Sequence, residues 1–390
     1  MSDRLGVPFT PRTRVLFGPG TITELGAVAT GLGAHRALLV TDPGLVAAGH
    51  AGRAARLLIA AGVEVLVYDQ VRENPTATDV ERCRAALGAF DAQVLVGIGG
   101  GSSIDVAKGC NFLRAGGGTM ADYRGTHTAR GTLLPLIAIP TTAGTGTEVQ
   151  SFALIGTDDT HQKMACGDPQ AAPAVAILDP ELTVSQPRHV TAHAGLDAIG
   201  HAVETAVTAP RNAVSTLFST AAFTLANTHL PRVLEQPDDL AARGAMLQAA
   251  SFAGVAIEHS MLGAAHAMAN PLTAQFGVVH GQAVGTVLPH VVRFNAELDT
   301  TGVLYAQLAH NAGLCTAPFP PAAAVETLVA RLADLLEACG LPPHLGALGV
   351  TEDAVPALAQ QAAEQWTGRF NPRPVGEPEF ARLFRAALEG

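Results

Sequence analysis

The chain has 390 residues, 48% of them hydrophobic, and a formal net charge of −10, enough apolar material to bury a large core over two domains. The acidic balance and the lack of a dense basic run exclude nucleic acid as an expected partner. The opening residues, MSDRLGVPFTPR, show no charged-then-apolar leader, and no uninterrupted apolar run of ~18 residues occurs, so a cytoplasmic chain without a membrane partner is expected.

Cys83, Cys110, Cys166, Cys315 and Cys339 are odd in number, scattered and never in a CxxC pair, which suits free thiols better than a disulfide frame. Of the 24 lysines and arginines only Lys108 and Lys163 are lysine, which singles those two out. Residues 13–17 (TRVLF) read as a strand ended by Gly18-Pro19-Gly20. Thr21 then stands as an N-cap with Glu24 three residues on, so TITELGAVATGLG reads as a helix opened by a capping box. Strand ALLV stops at Asp42-Pro43-Gly44; helix AGRAARLLIAAG, strand VEVLVYD, a turn at Asn74-Pro75, helix DVERCRAALGAF and strand AQVLVGIG follow. Continuous apolar strands alternating with helices predict a parallel sheet covered on both faces.

GIGGGSSIDVAKG (97–109) leaves one of these strands through three glycines and opens a helix. Glycines let backbone N–H groups approach an oxyanion, and a helix N-terminus adds roughly half a positive charge. Ser102 or Ser103 can cap that helix or bond a phosphate. A tight turn with no ligand is the competing reading, and the spacing is neither GxGxxG nor a P-loop. A second small-residue loop, in LLPLIAIPTTAGTGTEV (133–149), offers the hydroxyls of Thr141, Thr142, Thr145 and Thr147 to a nucleotide. Two such loops at the carboxyl ends of parallel strands mark the usual ligand position of open α/β sheets. Asp42 can bond a ribose 2′-hydroxyl, favouring NAD(H) over NADP(H), or can simply form an Asp-Pro-Gly turn. Residues 152–182 (FALI, a polar hairpin-like TDDTHQKM, then AVAILDPELT) read as strands wrapping the edge of this domain. Turn residues between Leu178 and Pro187 place the boundary there, giving an α/β domain over 1–186 and a second domain over 187–390.

After Pro187 the strand pattern ends and the second domain reads as all α. Asp197 and His201 stand four apart in AGLDAIGHAVETAV and share a helix face. Such a pair is usually a surface pair, but the flanking Ala, Ile, Gly and Val suggest burial, and a buried carboxylate needs a partner. The stretch from Gly263 to Asn295 holds His266, His280 and His290 with no acid or lysine. Asp197, His201, His266 and His280 together supply three nitrogens and an anionic oxygen, a set suited to Zn²⁺ or Fe²⁺ with a position left for substrate.

FGPGT, GGGSSIDVAK, IPTTAGTGTEV, LDPELT, DAIGHAVE, the histidine stretch and TGRFNPRP occur in an order that resembles the iron-containing (group III) alcohol dehydrogenase family over nearly the whole chain. The resemblance implies a Rossmann-like N-terminal dinucleotide-binding domain with a parallel sheet, an all-α C-terminal domain and a cleft between them, in the architecture shared with dehydroquinate synthase. It implies Asp197, His201, His266 and His280 as ligands of Fe²⁺ or Zn²⁺. It also implies Gly99, Gly100, Gly101 and Ser102 as a pyrophosphate loop, with Asp42, Asn74, Thr141, Thr142 and Lys163 lining the nicotinamide cofactor. The implied reaction is reversible hydride transfer between a primary alcohol or aldehyde and NAD(P), by a homodimer or larger homo-oligomer.

Three positions depart from the family pattern: Asn270 where a second histidine is common, Thr273 where glycine is common, and Val279 where proline precedes the fourth ligand. Asn270 shares a face with His266 and is counted with His266 and His280 among the catalytic candidates, yet an amide cannot relay a proton as imidazole can. His290 keeps a structural role. The competing readings are a metal-independent reductase similar to maleylacetate reductase, a lyase similar to dehydroquinate synthase, and a non-catalytic nucleotide-binding module. The intact four-ligand set argues against the first, and the absence of lysine from the helical domain argues against the second.

Overall fold

Runs of valine, isoleucine and leucine put apolar side chains on both faces of a strand, and here they pair into one sheet covered on both sides. The computed structural model describes residues 9–159, 162–317 and 320–389. In the unit from Thr10 to Gln186 the order is β1 (Arg14–Phe17), α1 (Leu25–Gly31), β2 (Arg36–Val40), α2 (Pro43–Ala47), α3 (His50–Ala60), β3 (Glu64–Tyr68), α4 (Ala77–Phe90), β4 (Val94–Gly99), α5 (Gly101–Gly116), β5 (Leu136–Pro140), β6 (Phe152–Gly156), β7 (Lys163–Gly167) and β8 (Val175–Leu178). Six strands form a parallel sheet in the order β1-β8-β5-β4-β2-β3. Alternation along each strand divides the side chains: Leu38, Val40 and Leu95 pack with α4 and α5 residues such as Val80, Ile104 and Phe112. Leu39, Val94, Val96 and Ile98 face the other way, against Leu25, Ala54 and Leu58 of α1 and α3.

The chain runs outward from β2 to β3, then returns to lay β4 on the other side of β2 and continues to β5. That reversal makes a topological switch point at the carboxyl ends of β2 and β4, where open α/β sheets bind their ligands.

Two expectations need correction here. β8 does not wrap the edge: it inserts between β1 and β5, and all four of its residues are buried. An unbroken apolar run needs cover on both faces, which an interior position gives, while the half-exposed β1 takes the edge. Only β6 and β7 lie apart, as an antiparallel pair; residues 160 and 161 of the TDDTHQKM turn lie outside the described residues. Nor does Thr21 open a capping box, because its hydroxyl donates back to the Gly18 carbonyl (2.8 Å). The cap comes from Asp179, just after β8, whose carboxylate accepts from the Gly20 and Ile22 amides (3.1 Å each). A distant acid at the end of an interior strand has displaced the local hydroxyl.

From Pro187 onward the described residues are helical: α6 (Arg188–Thr205), α7 (Ala213–Glu235), α8 (Leu240–Ser260), α9 (Ala264–Phe276), α10 (His280–Ala296), α11 (Asp299–Asn311), α12 (Pro321–Ala338), α13 (Val355–Glu364) and α14 (Glu377–Glu389). α8 is the one described helix long and apolar enough to cross a bilayer, and 72% of that stretch is buried inside the protein. All five cysteines are free. The start of α10 approaches α6 so closely that a Cβ on Gly281 would lie 1.9 Å from the His193 carbonyl oxygen. That contact brings His280 up against the helix of Asp197.

Gly281→Ala is therefore expected to cost about 3 kcal/mol or to prevent folding, because backbone rather than a flexible side chain must give way. Gly88→Ala, in the exposed last turn of α4 with nothing within 4 Å, is expected to stabilise by about 0.5 kcal/mol. Thermal midpoints of the two variants check both signs.

Candidate functional site

α6 carries Asp197, His201 and Glu204 at spacings of four and three, so one face presents all three inward. His266 lies in the first turn of α9, and His280 is the first residue of α10. The Nε2 atoms of His201, His266 and His280 lie 3.5, 3.5 and 3.7 Å from one carboxylate oxygen, Asp197 Oδ1. The rings of His201 and His266 stack at 4.7 Å between centroids. Asp197, His201 and His266 are buried, whereas the His280 side chain is 21% exposed, so the cluster opens on its side.

Asp197 Oδ1 and His266 Nε2 are both shielded from solvent and neither has a hydrogen-bond partner. Four ligands at about 2.1 Å from a tetrahedral ion stand about 3.4 Å from one another. The three separations from Asp197 Oδ1 match that edge length, and Asp197, His201 and His266 offer ligand atoms within 4.8 Å of one another, so this donor set fits a divalent ion with His280 beside it. Burial would push the Asp197 carboxyl up, but the surrounding imidazoles, His201 foremost, hold it well below the usual carboxylate range. Burial would lower His266, but the Glu204 and Asp197 carboxylates outweigh it and hold the imidazole up to about 9. The cluster is thus built to hold positive charge.

Glu204 escaped notice in the sequence. Its Oε2 accepts from His266 Nδ1 (2.6 Å), which commits that nitrogen as donor and leaves Nε2, 3.5 Å from Asp197 Oδ1, as the ring nitrogen able to ligate an ion. The same carboxylate accepts from the Gly263 and Ala265 amides (3.0 and 2.6 Å), which offsets the positive end of α9 beside the imidazole cluster. Its signal was the i+7 spacing from Asp197 within DAIGHAVE. Asn371, in the GRFNPRP segment, accepts from the Ala264 amide (3.2 Å) and exchanges hydrogen bonds with Asn295, tying the start of α9 to α10.

Asn270, one turn after His266, donates its amide to Gln365 Oε1 (3.0 Å). Val279 is the N-cap of α10, and Thr273 lies in the last turn of α9. For His290, burial and then Arg293 push the imidazole down to about 4, a neutral ring that suits a structural role.

In the other unit, Asp42, Gly99, Gly100, Gly101, Ser102, Thr141 and Thr142 follow three adjacent strands, β2, β4 and β5, at one end of the sheet. The Thr141 amide donates to the Gly99 carbonyl (2.9 Å), joining the two loops. Gly99 has φ +148°, and a Cβ there would lie 3.2 Å from Asp42 Oδ2, so the carboxylate and the glycine turn are neighbours. Asp42 also accepts from the Leu45 amide (3.1 Å), capping α2. Neither Ser102 nor Ser103 caps α5; its N-cap is Gly100, with no side-chain bond to the first amides. A Cβ on Gly101 would lie 2.8 Å from Thr145 Cγ2. Asn74, exposed and at φ 51°, follows β3. Lys163 is the first residue of β7, in the separate β6–β7 pair, where its charge reaches Asp105 of α5. Thr147 is corrected: its buried hydroxyl donates to Asp105 Oδ1 (2.6 Å) and is not offered to a nucleotide.

A doubly wound parallel sheet with an uncapped glycine turn at its switch point, in one chain with a helical unit carrying three imidazoles around a carboxylate, suits an enzyme that uses a dinucleotide and a divalent ion, and the relatives make that enzyme an oxidoreductase. Residues 11–180 match the iron-containing alcohol dehydrogenase family, and residues 191–388 match the C-terminal domain of the same family. NAD-dependent methanol dehydrogenase of Bacillus methanolicus is 33% identical over 97% of this chain and 99% of its own. 1,3-propanediol dehydrogenase of Klebsiella pneumoniae is 34% identical over 95% and 96%. The solved alcohol dehydrogenase of Oenococcus oeni superposes with a TM-score of 0.93 at 29% identity, covering 98% of this chain and 100% of its own. The chain belongs to the iron-containing alcohol dehydrogenase family.

Glu204→Gln keeps the shape of the side chain but not the strong acceptor for His266. It is expected to weaken divalent-ion affinity about 10- to 100-fold, measured by competition with a coloured chelator.

Proposed function

We propose that this protein interconverts small primary alcohols and aldehydes, using NAD(H) in preference to NADP(H) and one divalent ion, Fe²⁺ or Zn²⁺, held by Asp197, His201, His266 and His280. The observation that carries this reading is the convergence of three imidazole nitrogens on Asp197 Oδ1 at 3.5–3.7 Å, with two of these buried atoms lacking any hydrogen bond. When bound, the ion acts as a Lewis acid on the substrate oxygen and the nicotinamide gives or takes the hydride. Glu204 sets the His266 tautomer, and Asp197, His201 and His266 are buried while the cluster opens beside His280. Asn270, held by Gln365, offers an amide that orients substrate without moving a proton, at the position where the family resemblance implies a histidine.

The uncapped start of α5 and the glycines at 99–101 support pyrophosphate binding, with Ser102, Thr141 and Thr142 beside them. Asn74 and Lys163 complete the proposed set of cofactor-lining residues. Asp42 at the end of β2 supports NAD(H), since its carboxylate would bond a 2′-hydroxyl and repel a 2′-phosphate.

Freshly purified protein is expected to carry close to one equivalent of iron or zinc by elemental analysis. Dialysis against a strong chelator should abolish NADH-linked aldehyde reduction, and adding back the ion should restore it; reduction unaffected by the chelator would refute the metal assignment. Asp42→Gly is expected to narrow the preference for NADH over NADPH by about tenfold in kcat/KM, from the loss of a single charged contact.

A further inference from the structure

Lys108 is one of only two lysines in the chain and is 1% exposed, among the largest fully buried side chains. Its ammonium donates to the Thr147 carbonyl (2.6 Å), the Thr147 hydroxyl (2.9 Å), the Gln150 carbonyl (2.8 Å) and the Phe152 carbonyl (2.9 Å). One turn earlier on α5, Asp105 accepts from the Thr147 hydroxyl (2.6 Å) and the Leu154 amide (3.1 Å). Two side chains on one helix thereby fix the backbone from Thr147 to Leu154, the continuation of the loop that begins at Thr141. A surface loop would be held by water or by neighbouring backbone. Burying an ammonium is costly unless its donors are used, and the four acceptors above all lie between Thr147 and Phe152.

The segment between the clamp and β5 contains Thr142 and Thr145, which face the start of α5. A Cβ on Gly100 would lie 3.5 Å from Thr142, and one on Gly101 2.8 Å from Thr145. The helix that presents its uncapped N-terminus to a phosphate is therefore also the helix that clamps the far end of the opposing threonine loop. Any shift of that loop along α5 would close or open the space at Gly100 and Gly101.

We propose that Asp105, Lys108 and Thr147 are positioning residues for the dinucleotide: they touch no cofactor atom but hold the Thr141–Thr145 loop at the distance from the α5 N-terminus that admits a pyrophosphate. This rests on the cofactor reading given under Proposed function. Because the clamp acts on the binding of the dinucleotide, its loss raises the Kd and KM for NADH and leaves turnover at saturating NADH nearly unchanged. A merely structural role would lower the thermal midpoint without that split.

The test is NADH titration by fluorescence on the metal-loaded full chain, with steady-state KM and kcat, for Lys108→Met, for the near-isosteric Thr147→Val and for Gly101→Val, which fills the cradle itself. The expected result is a Kd raised about tenfold in Lys108→Met and about threefold in Thr147→Val, with kcat within about twofold of the parent. If Lys108→Met does not fold, Thr147→Val decides. Weak NADH binding in Gly101→Val alongside parental Kd in Thr147→Val would overturn the clamp and leave the cofactor site standing. Parental Kd in all three would overturn the cofactor site and the clamp with it.

Discussion

One carboxylate oxygen surrounded by three imidazole nitrogens is the arrangement on which the helical unit depends. A buried anion without hydrogen bonds is expensive, and three ring nitrogens turned toward it cannot repay that cost unless positive charge lies among them. The helices around the cluster serve that need. α6 supplies the carboxylate and the first imidazole on one face; α9 and α10 each deliver an imidazole from their first turn. The unfavourable end of α9 is offset by Glu204, which in the same stroke fixes the proton of His266 on Nδ1.

The α/β unit has the opposite arrangement, one suited to an anion. Its switch point brings the ends of β2, β4 and β5 together, and glycines at 99–101 leave the first amides of α5 without a side-chain cap. Small side chains at such a turn keep the backbone accessible, and the buried Lys108 and Asp105 hydrogen-bond the segment that continues the facing loop. The two units thus carry opposite electrostatic character: a carboxylate among imidazoles suited to a cation, and uncapped backbone N–H groups at a glycine turn suited to an anion.

Much of this was legible in the sequence, and the parts that were not share a cause. Asp197 and His201 announce themselves by i, i+4 spacing in an apolar helix, and the parallel sheet by its unbroken apolar strands. His266 and His280 drew attention as histidines among small residues, but their convergence on Asp197 needs helix packing and the contact of Gly281 with the His193 carbonyl, which no spacing encodes. Glu204 lay in plain view one turn after His201, yet an acid near the end of a helix reads as a surface residue until its partners are known. Asp179 capping a helix start some 160 residues earlier, β8 entering the middle of the sheet, and Thr147 turning to Asp105 are likewise long-range outcomes that override a sound local rule.

The central claim is that a single divalent ion sits among Asp197, His201, His266 and His280. X-ray absorption at the metal edge of the full-length protein measures this most directly. The account predicts one ion with a first shell of three nitrogens and at least one oxygen at about 2.0–2.2 Å, and loss of imidazole scattering in His266→Ala. A shell containing sulfur at about 2.3 Å, or a spectrum unchanged by His266→Ala, would contradict it.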